Sequence, residues 1–533
     1  MLAAVSILFR HPRIYTGSAE QPFVTGLLVE DDRITAVGTY GELVATHAPS
    51  TTIDLPGALV MPGLHDAHIH TAGVARALAA VDLRGARSLA EALATIREHV
   101  SGLPSGSWVF GGRWDSNKWA EPVQPTAADL DTVSGDHPIA LDSIDGHTMW
   151  ANSEALRRAG IDAGWPDPPG GMAVRDPAGN PTGILRETAQ EPIDNIDGDD
   201  KEDLVGGLLA AQEHFLSVGL TAVTDLNGEE ARAAYLSIKA AEKLKIRVVK
   251  GIPMYALESA IAEGRRTGDG DDWLRVGPVK LFSDGALGSR SAHMSQGYAD
   301  NPGNLGMAVM TRDQLYDAAR AAVDAGIAVA IHAIGDQANH TVLDVYEAIR
   351  RDTGTTLPLS IEHTQFLQPA DVTRLHRLQV TASMQPTHCT SDIDLVNALL
   401  PEHDVVGYGW RSVLDSGADL AFGSDAPVEE ANPFHGIHAA VTRQRGDGSP
   451  AAGFQSAERI TVAEAIAAFT TGAAKLTGTA DVRGTLTPGK LADFIAVDTD
   501  ITDPAVVSDE PLRIRDARVL QSVVGGETRW ERG

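Results

Sequence analysis

Eight apolar runs, most of them parted by helical patterns, fill the middle of this 533-residue chain. They read "ALVMPGLHDAHIH", "GLTAVTDL", "KIRVVKGIPMY", "GPVKLFSDG", "GIAVAIHAIG", "LPLSIEHTQ", "QVTASMQPTH" and "ADLAFGSDAP". Runs that stay apolar along their length suit strands buried on both faces of a parallel sheet. Stretches such as "TRDQLYDAARAAVDAG" and "ANHTVLDVYEAIRRDTG" carry the helical period between them. Eight strand–helix units predict an α/β fold, a (β/α)8 TIM barrel.

The ends read differently. "AAVSILFR", "GLLVEDDRITAVGT" and "TTIDLPGALV" at the start, and "GTLTPGKLADFIAVDTD" and "ARVLQSVVGGETRW" at the finish, are short strands broken by turns. Chain ends commonly lie close together. Residues 1–60 and 478–533 are therefore expected to form one small β-sandwich domain, with the barrel over 61–477. The first strand-to-strand interval is oversized: residues 75–200 form an insertion with elements of its own, including "WVFGGRWD" and "HPIALDSIDGH", that can roof an active site. Within it the brief acidic run "NIDGDDKED" reads as solvated surface.

Hydrophobic residues at 43% and charged residues at 22% supply an ordinary globular core. A formal charge of −29 argues against nucleic acid or an anionic membrane as partner, since both are held by Lys/Arg patches. A single cysteine, Cys389, can form no intrachain disulfide. No window nears 18–20 uninterrupted apolar residues. The opening "MLAAVSILFRHPRIYTG" lacks a basic region and a cleavage site. A soluble cytoplasmic protein is expected.

Polar residues with metal-ligand chemistry close the strands. His68 and His70 end the first run two positions apart, so both imidazoles share one face. Lys280 lies in the fourth run, His332 in the fifth, His363 in the sixth and Asp425 in the eighth. In such barrels the active site occupies the C-terminal face, where these residues fall. Each has a plainer reading: an isolated strand histidine as a hydrogen-bonded core residue, Asp425 as a turn cap, Lys280 in a salt bridge. Together they suit zinc, which takes imidazole and carboxylate and leaves a position for water. Burial favours the neutral amine of Lys280, which can react with carbon dioxide to a carbamate whose two oxygens can bridge two cations. No G-x-S-x-G elbow is present, and "GGRWDSN" and "GGM" read as glycine turns rather than phosphate loops.

"PGLHDAHIH", the eight-strand order and the closing "LTPGKLADFIAVD" resemble the amidohydrolase superfamily of metal-dependent hydrolases. "GGRWD", "DGHTMWANSEAL", "PTGILRE", "VKLFSDGALGSR", "IHAIGD", "IEHTQ" and "QPTHCTSD" narrow the resemblance to its amidohydrolase-3, or YtcJ-like, branch, which includes N-substituted formamide deformylases. The resemblance implies that His68 and His70 bind the more buried metal and that His332 and His363 bind a second. It implies that Lys280 is the carbamylated bridge, and that Asp425 contacts the buried metal and the attacking water. Two Zn2+ per chain follow from it, other divalent metals being able to stand in, and so does a homodimer. His65 and Asp66 are assigned no ligand role.

The reaction expected is hydrolysis of a non-peptide C–N amide bond in a small molecule. A metal-activated water attacks the carbonyl while Asp425 works as general acid/base. His147, Arg290 and His388 are candidates for substrate contacts, with a turn and helix cap as the plainer reading for His147 and Asn152. Two other readings use the same scaffold. One is a deaminase or cyclic-amide hydrolase, against which Lys280 tells. The other is a catalytically inactive metal-binding protein, which has no need of an open water position.

Overall fold

Burial along nearly the whole of each apolar run makes the eight runs strands of one parallel sheet. In the computed structural model they are β1 (Leu64–Ile69), β2 (Leu220–Asp225), β3 (Arg247–Pro253), β4 (Leu274–Phe282), β5 (Val329–Ala333), β6 (Leu359–His363), β7 (Val380–Met384) and β8 (Leu420–Phe422). They pair in that order around a (β/α)8 barrel. The structure describes residues 6–103, 105–144, 147–194 and 204–533. The acidic run "NIDGDDKED" lies outside the described residues.

The helices between strands start and stop where their sequences say. Thr311 caps the helix Arg312–Asp324, its hydroxyl and the Gln314 side chain each satisfying the other's backbone N–H. The helix Asp336–Thr353 ends at Gly354, whose φ of +63° is a left-handed cap.

By contact the chain forms two compact units, Met1–Val74 with Leu208–Gly533, and Ala75–Gly207. In the first, the sandwich expected of the termini takes the form of one continuous path of paired strands. Leu59–Pro62 joins the C-terminal strands Phe494–Val497, Val519–Val524 and Glu527–Glu531 to the N-terminal Ser6–Tyr15, Phe23–Glu30 and Arg33–Gly38. Thr51–Asp54 branches off Ser6–Tyr15. Phe9, Ile14, Leu27, Phe494 and Val523 fill a shared core. The first apolar run thus serves two sheets, changing from one to the other at Gly63, where a Cβ would sit 2.3 Å from the Thr221 hydroxyl. Arg247 of β3 reaches the terminal sheet in a buried bidentate pair with Asp493, at 2.6 and 2.8 Å.

The second unit carries a six-stranded sheet and two apolar clusters. Its segment Gly111–Trp114 is a strand, not the glycine turn expected of "GGRWDSN". Both glycines have positive φ and lie against the backbone of the neighbouring strands, so they permit close pairing rather than a reversal of the chain.

Candidate metal centre

The barrel closes at the site itself. Asp425 N–H donates to the His68 carbonyl at 2.8 Å, and His70 N–H donates to the Ala426 carbonyl at 2.9 Å. Asp66 pins the same junction, its Oδ1 accepting from the N–H groups of His68 and Ser424 at 3.1 and 3.0 Å. Gly423 allows the approach, since a Cβ there would lie 2.5 Å from the His68 nitrogen. Two residues at the rim hold left-handed backbone, His363 at φ +75° and Asp425 at +58°. Such conformations cost about 1–3 kcal/mol each and cluster at functional sites.

Imidazoles gather around the Asp425 carboxylate. His70 Nε2 lies 3.2 Å and His68 Nε2 3.4 Å from its Oδ1, and His388 Nε2 lies 3.8 Å from its Oδ2. His68, His363 and Asp425 bring ligand atoms within 4.8 Å of one another. The His332 and His363 rings are 4.5 Å apart, and His363 stacks on His388 at 6.1 Å. Lys280 is 4% exposed, yet forms no ion pair or hydrogen bond among the described residues. The plainer salt-bridge reading is therefore not realised. Burial lowers the Lys280 pKa, with Glu362 and Asp425 opposing.

Hydrogen bonds fix the ring tautomers. His68 donates from Nδ1 to Glu362 at 2.7 Å, and His363 donates from Nδ1 to the Gln385 side-chain carbonyl at 2.9 Å. His332 donates from Nε2 to the Gly285 carbonyl at 3.2 Å. Each ring is left with a lone pair on its other nitrogen, the arrangement that orients a metal-binding histidine. Burial, with Lys280 adding to it, pushes His68 down to about 4. Burial and then His332 push His363 well below its usual range. Burial alone would raise Asp425, but His68, His70, His363 and His388 outweigh it and hold the carboxyl well below the usual carboxylate range. The imidazoles, the Asp425 carboxylate and a buried amine with no ion pair or hydrogen bond among the described residues form a donor set that fits a divalent metal.

Sequence reasoning passed over three residues at this rim. Glu362 and Gln385 hold the rings of His68 and His363. Asp284 accepts from the N–H groups of His293, Ile334 and Gly335 and lies 3.4 Å from His332 Nε2. Their signal was slight: polar residues beside the histidines and lysine, in "IEHTQ", "SMQPTH" and "KLFSDG". His65 faces away, bonded to Thr224 and Arg483. Of the proposed substrate contacts, only His388 adjoins Asp425. Arg290 is exposed and ion-paired with Asp300 at 2.7 Å. His147 belongs to the other unit, exposed and 3.1 Å from Glu187, while Asn152 there caps the helix Ser153–Arg158. Cys389 is buried, and burial pushes its thiol up to about 12, which removes it as a nucleophile.

A parallel eight-stranded barrel carrying this donor set on its C-terminal rim defines a metal-dependent hydrolase. The model of the Amidohydrolase family matches residues 51–529, and the chain belongs to that family. It is 34% identical to Protein LONG AFTER FAR-RED 3 of Arabidopsis thaliana, over 98% of this chain and 91% of that one. It is 29% identical to the N-substituted formamide deformylase of Arthrobacter pascens, over 99% and 98% of the two chains. The crystal structure of an uncharacterized metal-dependent hydrolase from Pyrococcus furiosus superposes with a TM-score of 0.76 at 29% identity, covering 93% of this chain and all of the other.

Proposed function

We propose that this chain hydrolyses a non-peptide C–N amide bond in a small N-acyl compound, with N-substituted formamides the first class to try. The observation that carries the reading is the Asp425 carboxylate, held ionised among three imidazoles and beside an unpaired buried lysine. The likeness to a relative named a formamide deformylase supports the substrate class.

His68, His70 and Asp425 would hold one Zn2+, and His332 and His363 a second. Lys280 would serve both as its carbamate. There the Nζ lone pair bonds to the carbon of carbon dioxide, a proton leaves to solvent, and the side chain gains two oxygens that share one negative charge. When bound, the ions polarise the substrate carbonyl and lower the pKa of a water towards about 7.

The chain's own groups carry the rest. Asp425 takes the proton of the attacking water and delivers it to the nitrogen that leaves as amine. The water oxygen bonds to the carbonyl carbon as the C–N bond breaks. His388, whose Nε2 has no hydrogen-bond partner among the described residues, is placed to donate to the carbonyl oxygen as charge develops on it. Glu362, Gln385 and the Gly285 carbonyl keep the ligand rings aimed.

The test is amine release from a panel of N-alkylformamides and N-acetyl amines, using zinc-loaded protein. The wild type is expected to release amine from at least one member. Asp425→Asn is expected to lose about 10²–10⁴-fold in turnover while keeping its fold and much of its zinc. Wild-type turnover in that variant contradicts the proton-transfer role. Ammonia from amino-substituted heterocycles, with no amine from the panel, would move the assignment to deamination.

A further inference from the structure

The short helix Pro386–Ser391 has two working faces. His388 points to Asp425, whereas Thr387, Thr390 and Ser391 line a separate cleft of about 310 Å³. Its far wall is the helix Pro433–Thr442 together with Arg515 and Gly446.

Most charges at this cleft are already paired. His435 meets Glu430 at 3.2 Å, Arg445 meets Asp394 at 2.8 Å, and Glu429 accepts from the Ser391 hydroxyl at 2.5 Å. Two groups are not. Arg515 forms no ion pair or hydrogen bond among the described residues. Its guanidinium lies against Gly446, where a Cβ would come within 2.5 Å of Nε, so a larger residue would displace it. His438 is 2% exposed, and its buried Nε2 likewise has no partner. Burial, then the Arg515 charge, pushes His438 down to about 4; its ring is neutral and carries one N–H.

A buried, unsatisfied imidazole beside an unpaired guanidinium is costly unless one acceptor serves both. We propose that this cleft is a second binding site, for a small singly charged carboxylate seated between Arg515 and His438. A carboxylate matches the planar guanidinium with two parallel bonds, and an oxygen can also take the imidazole N–H. Glu429 and Glu430 at the rim repel a second negative charge, which favours a monocarboxylate over phosphate. A metal suits the cleft less well. His435, His438 and Glu430 do not converge as His68, His363 and Asp425 do, and the Arg515 charge would oppose a cation. This inference does not depend on the reaction assigned to the barrel rim.

The experiment is phenylglyoxal modification of Arg515 in the zinc-loaded full chain, followed by peptide mass mapping. Acetate and inorganic phosphate are compared at equal ionic strength. Acetate is expected to protect Arg515 saturably and better than phosphate. Asp425→Asn should protect equally, because the signal does not come from the barrel rim. His438→Phe should weaken protection about tenfold or more, as loss of one bond to a charged group implies. Absent or unsaturable protection in the wild type would overturn the proposal without any variant. So would stronger protection by phosphate, or loss of protection in Asp425→Asn.

Discussion

Glu362 sits one hydrogen bond behind the His68 ring. It accepts the Nδ1–H of His68 and is itself held by the Ser360 hydroxyl at 2.7 Å. Replacing it by glutamine keeps the shape but removes the charge that fixes the ring. Partners of this kind are worth about 10–100-fold in metal affinity. Glu362→Gln is therefore expected to bind zinc that much more weakly in chelator competition, with the circular dichroism spectrum unchanged; unaltered affinity would mean that His68 needs no such support. His68, His70, Lys280, His332, His363 and Asp425 were legible because their residue types are rare at the ends of buried strands. Glu362 was not, because its partner lies 294 positions away, and only the barrel register, His332 opposite Glu362, turns it inward.

Among the elements, the barrel strands were the most legible, since burial on both faces leaves an uninterrupted apolar run. Their ends were less so. "ALVMPGLHDAHIH" reads as one strand but forms two, because the break at Gly63 is set by Thr221 on another strand. "GGRW" reads as a turn, because the strands that press on its glycines are remote in sequence. The Arg247–Asp493 pair, which ties β3 to the terminal sheet, was invisible for the same reason. Burial would raise the Asp493 carboxyl, but Arg247 outweighs it and holds the group below the usual range. A depressed carboxyl contributes stability above its unfolded value of about 3.9, lost as pH falls through the folded value. Asp493→Asn is thus expected to cost about 3–5 kcal/mol at neutral pH, by urea denaturation. The gap should hold down to about pH 4 and close below it, as the wild type loses the ionised partner. A gap independent of pH would contradict the ion pair's role.

At the scale of the molecule, the family match runs over residues 51–529, from the terminal strands through the barrel and back to the terminal strands. Among the described residues no helix is long and apolar enough to cross a membrane. The proposed reaction needs a pair of metal ions joined through Lys280. The most direct test is zinc per chain by elemental analysis, on protein purified without chelator and with bicarbonate present. About two zinc ions per wild-type chain are expected, the number a bridged site holds, with a weakened second ion in Lys280→Ala. A single zinc in the wild type, or a content unchanged in Lys280→Ala, would contradict the bridged pair.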